Sequence, residues 1–148
     1  MPKSTPPPYF ELFNEIGIIS QLSRTLFEAQ LSHGMLVSHF SVLNHLIRVK
    51  DGQTPLALAR AFQVPKTTMT HTLAGLEKNH FVSIRANPED GRSKCVWINN
   101  KGRRFRDESM KKIGGDMQTM LATIDQDQVA AILPVLKDIR VYLDTHRN

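Results

Sequence analysis

The chain has 148 residues, 41% hydrophobic and 22% charged, with a formal net charge of +5 at pH 7 and a pI of about 9.6. This is the composition of one globular domain, or of one domain with a helical appendage, and it excludes a wholly disordered chain. A single cysteine excludes an intramolecular disulfide framework and a multi-cysteine zinc site. No stretch approaches the roughly 20 apolar residues of a membrane span, so the expected setting is a reducing interior such as the cytoplasm.

Residues 1–8 hold four prolines and no apolar core, which predicts a flexible proline-rich arm rather than a signal peptide. From Tyr9 to His33, Leu12, Ile16, Ile19, Leu22 and Leu26 recur at helical spacing, and Gly34 is the stop signal. A second helix is expected from Val37 to Val49, with Leu36, Phe40, Leu43 and Ile47 inward, broken by Asp51-Gly52. Thr54-Pro55 opens a short third helix whose apolar side is Leu56, Ala59 and Phe62.

A fourth helix is expected from Pro65 to Asn79, with Met69, Leu73 and Leu76 inward. Its other side carries Lys66, Thr67, Thr70, His71 and Lys78; its only acid, Glu77, lies near the C-terminal end. Phe81–Ala86 and Lys94–Ile98 alternate as strands around the turn cluster Asn87-Pro88-Glu89-Asp90-Gly91, a hairpin with Arg92 and Lys94 at its tip. Asn99 or Asn100 caps a fifth helix through Phe105, Ile113 and Met117, with Gly114-Gly115 as a possible bend. A last helix starts at Asp125, with Gln128 completing a capping box. Its stripe is Val129, Ile132, Leu136, Ile139 and Leu143, with a kink expected at Pro134.

Charge is concentrated in the middle of this order. Between Arg60 and Arg106 there are ten lysines and arginines against Glu77, Glu89 and Asp90. One electropositive face is the footprint of a polyanion partner. Helix, tight turn, helix and basic hairpin in sequence make a winged helix-turn-helix, so the fold class is mostly α with a small β-hairpin wing. The long end helices need cover for their apolar faces, and a second copy of the chain is the expected cover. The expected organisation is therefore the arm over 1–8, a helical dimerisation region over 9–35 and 100–148, and a DNA-binding winged helix-turn-helix over 36–99. Such a homodimer presents two reading helices roughly 34 Å apart to double-stranded DNA with a pseudo-palindromic operator.

Three stretches resemble the MarR (multiple antibiotic resistance regulator) family. They are Thr54-Pro55-Leu56-Ala57-Leu58-Ala59 leading into Val64-Pro65-Lys66-Thr67-Thr68-Met69-Thr70-His71, then Leu76-Glu77-Lys78-Asn79-His80-Phe81-Val82, and the wing from Arg85 through Asp90-Gly91-Arg92-Ser93-Lys94 to Ile98-Asn99-Asn100-Lys101-Gly102-Arg103. The resemblance implies a dimeric transcriptional repressor released by a small, commonly aromatic, ligand. It implies a groove-reading helix carrying Lys66, Thr67, Thr68, Thr70 and His71. The implied wing contacts are Arg85, Asp90, Arg92 and Lys94, with the Asp90 carboxylate steadying an Arg92 that enters the minor groove. His71 stands where the family commonly has Arg, and His80 where it usually has Gly, so Asn79 or His80 must make the turn without glycine's freedom. Asn99 replaces a usual Thr, and both cap helices.

Among the remaining candidates, Phe13, Met35, His39 and Phe40 are the expected lining of a ligand pocket. Cys95 reads as a small buried hydrophobe rather than a redox site. His33, His39 and His45 lack ligand spacing, so neither a metal nor a cofactor is expected. No phosphate loop, nucleophile elbow or metal-spaced His/Glu pair marks an enzyme. The alternative to a DNA-binding regulator is a winged-helix protein-interaction module without specific DNA binding.

Overall fold

The computed structural model describes residues 4, 5 and 7–147. Half of the expected proline-rich arm, residues 1–3 and 6, lies outside those residues, and Pro8 is already helical. The order is α1 (Pro8–Glu28), α2 (Val37–Arg48), α3 (Pro55–Phe62), α4 (Lys66–Lys78), β1 (Val82–Ala86), β2 (Lys94–Ile98), α5 (Asn100–Leu121) and α6 (Gln126–Thr145). Two compact units divide inside α5, one reaching Met110 and the other starting at Lys111. No helix among the described residues is long and apolar enough to cross a membrane.

The first unit is built around one core. Val42, Leu43 and Leu46 of α2, Leu58 and Ala59 of α3, and Met69, Leu73 and Leu76 of α4 are buried together with Phe81, Val82, Val96, Ile98 and Phe105. The rings of Phe81 and Phe105 stack at 4.5 Å between centroids. Three expectations need correction. In α3 the stripe runs through Leu58, Ala59 and Phe62, which leaves Leu56 45% exposed. In α2 it runs through Val42, Leu43 and Leu46, and Leu36 is the exposed residue preceding the helix. Helix α1 stops at Glu28, well before Gly34, because Gln30 and Leu31 donate their N–H groups to the carbonyls of Phe27 and Glu28 and tighten the last turn. His33 and Gly34, both left-handed at φ 62° and 68°, then turn the chain toward α2.

The caps follow the sequence more closely. Thr54 Oγ1 accepts from Ala57 N–H, with Pro55 at the first helical position. Gln63 ends α3 in the left-handed region at φ 55°, and Pro65 opens α4. At the end of α4, His80 takes the left-handed turn at φ 60° without glycine. Its carbonyl accepts from Asn99 Nδ2 at 2.7 Å, and Asn99 Oδ1 accepts from Gly102 N–H to cap α5. One asparagine thus stabilises both a strained turn and a helix start.

The hairpin is antiparallel, pairing Val82 with Ile98, Ile84 with Val96, and Ala86 with Lys94. Its first strand begins at Val82 rather than Phe81. A bridge from Gln53 to Val96, with Val96 N–H donating to the Gln53 carbonyl, widens the sheet in a way no local pattern announced.

The second unit holds the rest of α5 and all of α6. Helix α5 runs unbroken through Gly114-Gly115. Asp125 accepts from Asp127 N–H at 2.8 Å, so the cap is made at the second helical position and not with Gln128. Pro134 sits inside an unbroken α6, where its missing N–H removes one rung of the ladder. No α6 residue is buried, and Ile132, Val135, Val141, Tyr142 and Leu143 are exposed.

Candidate nucleic-acid interface

Helix α4 turns Met69, Thr72, Leu73 and Leu76 into the core. That rotation leaves Lys66, Thr67, Thr68, Thr70 and His71 exposed. Thr72 satisfies its buried hydroxyl by donating to the Thr68 carbonyl at 3.1 Å. The first turn carries no acid. An exposed helix N-terminal half with a lysine, three threonine hydroxyls and an imidazole offers donors and no repulsion to phosphate oxygens.

The wing tip is held by its own short side chains. Asn87 N–H donates to the Ser93 carbonyl, and Asn87 Nδ2 donates to Ser93 Oγ, both at 3.0 Å. Asp90 Oδ1 accepts from Arg92 N–H at 3.0 Å and lies 3.7 Å from Arg92 Nε. The Arg92 side chain is nevertheless 96% exposed and projects from the tip. Arg85 lies over the Trp97 ring at 5.2 Å, a cation–π contact at the base of the wing. Lys94 shares a cleft of about 260 Å³ with Thr70, Glu77 and Ile84, so the hairpin and the exposed side of α4 border one surface.

Other cations of the basic segment are committed elsewhere. Lys101 donates to the Asn79 carbonyl, Arg103 lies 3.8 Å from Asp51, and Arg106 holds Asn44 and Asp107. Cys95 is buried opposite Arg85 in the ladder.

The four expected pocket residues do not line one cavity among those described. Met35 is in the core, Phe40 packs against it, and Phe13 stands exposed on α1. His39 is half-buried on α2, where its Nδ1 accepts from Leu36 N–H at 2.9 Å. Burial holds the His39 pKa below the ordinary imidazole value; His71 adds to this, and Glu28 works against it. A different cleft of about 360 Å³ lies against α4, lined by Arg24, Ser38, Ser41, Phe62, Thr68 and Met69 among others. Its sequence signal was available: Arg24 is the only lysine or arginine of α1, and Ser38 and Ser41 share a helix face at a spacing of three. His33 packs edge-on to Phe81, and His45 packs against Phe62. No metal-holding group of histidine, cysteine and carboxylates occurs among the described residues.

The MarR family model matches residues 33–93. Among solved structures, the transcriptional regulator BldR from Sulfolobus solfataricus is 23% identical with a TM-score of 0.79, over 90% of this chain and 95% of that one. A cysteine-to-serine mutant of MarR from E. coli, complexed with operator DNA, is 24% identical with a TM-score of 0.73, over 87% and 93%. The organohalide-sensing regulator RdhR-CbdbA1625 in its 2,4-dichlorophenol-bound form is 14% identical with a TM-score of 0.76, over 97% and 87%. The fold of this chain is the fold of those regulators.

Proposed function

We propose that the chain, whose residues 33–93 match the MarR family model, is a homodimeric, sequence-specific DNA-binding repressor released by a small ligand. The observation that carries the reading is the exposed, acid-free first turn of α4 standing beside a wing whose Arg92 is held at its base and free at its tip. In this reading Lys66 and Thr68 meet phosphate oxygens, Thr70 and His71 meet base edges, and Arg92 enters the minor groove. Arg85 and Lys94 add phosphate contacts. That a protein of this fold is seen with operator DNA supports the assignment.

The domain division is part of the same proposal: 36–99 reads DNA, while 9–35 and 100–148 pair two copies. Bare apolar side chains support it, with Phe10, Phe13 and Leu22 exposed on α1 and Ile132, Val135 and Leu143 exposed on α6. Leaving so many large apolar groups in water is costly at about 25 cal/mol per Å², and a second copy removes the cost.

The cleft at Arg24 supports ligand release. Arg24 has no hydrogen bond or ion pair among the described residues, and hydroxyls of Ser38, Ser41 and Thr68 stand around an apolar floor of Phe62 and Met69. A cation with hydroxyls over an apolar floor suits a small aromatic carrying negative charge. A ligand there touches α4 directly, so it shifts the reading helix by its differential affinity for the DNA-competent state. Binding of the purified protein to duplexes selected from random DNA tests the reading. Six to ten phosphate contacts weaken affinity by roughly 10³–10⁵-fold between 50 and 200 mM salt, whereas a protein-docking module selects no duplex.

A further inference from the structure

We infer that His39, on α2, is the positioning residue that sets the seat of the reading helix through its contact with Gly75. The inference rests on α4 being the reading helix and adds the group that fixes where it lies. Three observations meet at this ring. Its Nδ1 accepts from Leu36 N–H, which locks the ring plane to the start of α2. Its Nε2 edge faces Gly75, where a Cβ would come to 2.8 Å of Nε2 and 3.5 Å of Cδ2. Gly75 lies one turn along α4 from the exposed His71.

The contact is close because glycine gives α4 no side chain at that point, and α2 can then press an aromatic edge onto the helix backbone. A pinned ring cannot swing aside without losing its bond to Leu36, so bulk at position 75 displaces the helix instead. The start of α2 is itself fixed from α1, since Glu28 Oε1 accepts from Val37 N–H at 3.0 Å. The chain of contacts therefore runs Glu28, Val37, Leu36, His39, Gly75, and ends on α4.

The seat requires a neutral ring. A proton on Nδ1 removes the acceptor for Leu36 N–H and turns two donors toward each other. The positive charge then faces His71 from α4, and among the described residues Glu28 from α1 is the carboxylate acting on the ring. The pKa of His39 lies below 6.5 in keeping with that demand.

The test uses full-length wild type, Gly75→Ala, His39→Asn and the double variant, with a duplex selected by the wild-type protein as the probe. Asparagine keeps an acceptor near the Nδ1 position and lacks the edge that meets Gly75. Affinity is read by fluorescence anisotropy at a temperature where circular dichroism shows all four folded. Gly75→Ala is expected to weaken binding about tenfold, and His39→Asn in the same chain to restore most of it. Unchanged affinity in Gly75→Ala, or no recovery in the double variant, overturns the inference. A wild-type protein that selects no duplex overturns the DNA-binding reading instead. If Gly75→Ala does not fold, NMR of the wild type replaces it. Acidification through the His39 titration should shift the Gly75 amide resonance clearly more in wild type than in His39→Asn, and equal shifts in the two proteins overturn the inference.

Discussion

Asp90 holds Arg92 twice, accepting its backbone N–H at 3.0 Å and lying 3.7 Å from its guanidinium Nε, while leaving the guanidinium almost wholly in solvent. The pair works as a mount: the carboxylate fixes the base of the side chain, and its charged end stays available. Because the ion pair itself is exposed, it adds little to fold stability.

Arg92→Ala should therefore leave the melting temperature within experimental spread. It should weaken binding to a selected duplex about tenfold and reduce the salt slope by about one. Asp90→Ala should do less, since the arginine remains and only its mount is lost. Anisotropy titrations at three salt concentrations check both. Equal loss in the two variants contradicts the mount.

Asn99 carries two jobs, donating to the His80 carbonyl and accepting from Gly102 N–H. Asn99→Ala should destabilise the first unit by about 1–2 kcal/mol, measured by urea unfolding. His80→Gly should stabilise it by roughly 1 kcal/mol, because φ 60° costs a side-chain-bearing residue and not a glycine.

Leu143 and Ile132 stand exposed on α6. Leu143→Asp with Ile132→Asp should yield a folded single chain by sedimentation, with affinity for the selected duplex lost. A wild-type protein that already sediments as one chain removes the dimer from the proposal.

Arg24→Ala tests the cleft. With benzoate as the probe, release of wild type from DNA should require millimolar or lower ligand, and the variant should need at least about tenfold more. Equal release in both proteins places the ligand elsewhere.

For pH, His39 sets the sign. Its folded pKa is depressed, so its contribution to stability is complete above the ordinary value of 6.5 and is lost as pH falls through the lower folded value. Urea midpoints of wild type should therefore drop more than those of His39→Asn between pH 7.5 and pH 5. Parallel curves contradict this.

What was legible in the sequence was whatever a local pattern encodes. Met69, Leu73 and Leu76 declared the inner side of α4, the alternation in Lys94–Ile98 declared a strand, and Thr54-Pro55 declared a helix start, all because the cause lies within a few residues. The misses have distant causes. Leu58 faces inward instead of Leu56 because the core around α3 is supplied by α4 and β2. The bridge from Gln53 to Val96 spans more than forty positions. The Arg24 cleft joins α1, α2 and α4, and the contact of His39 with Gly75 depends on a side chain that is not there. Spacing rules cannot see such meetings.

The most direct test is to sequence the duplexes that the purified protein selects from random DNA. A dimer of this fold should select an inverted repeat whose half-sites are centred about 10 base pairs apart. No enriched sequence, or a lone half-site bound by one chain, contradicts it.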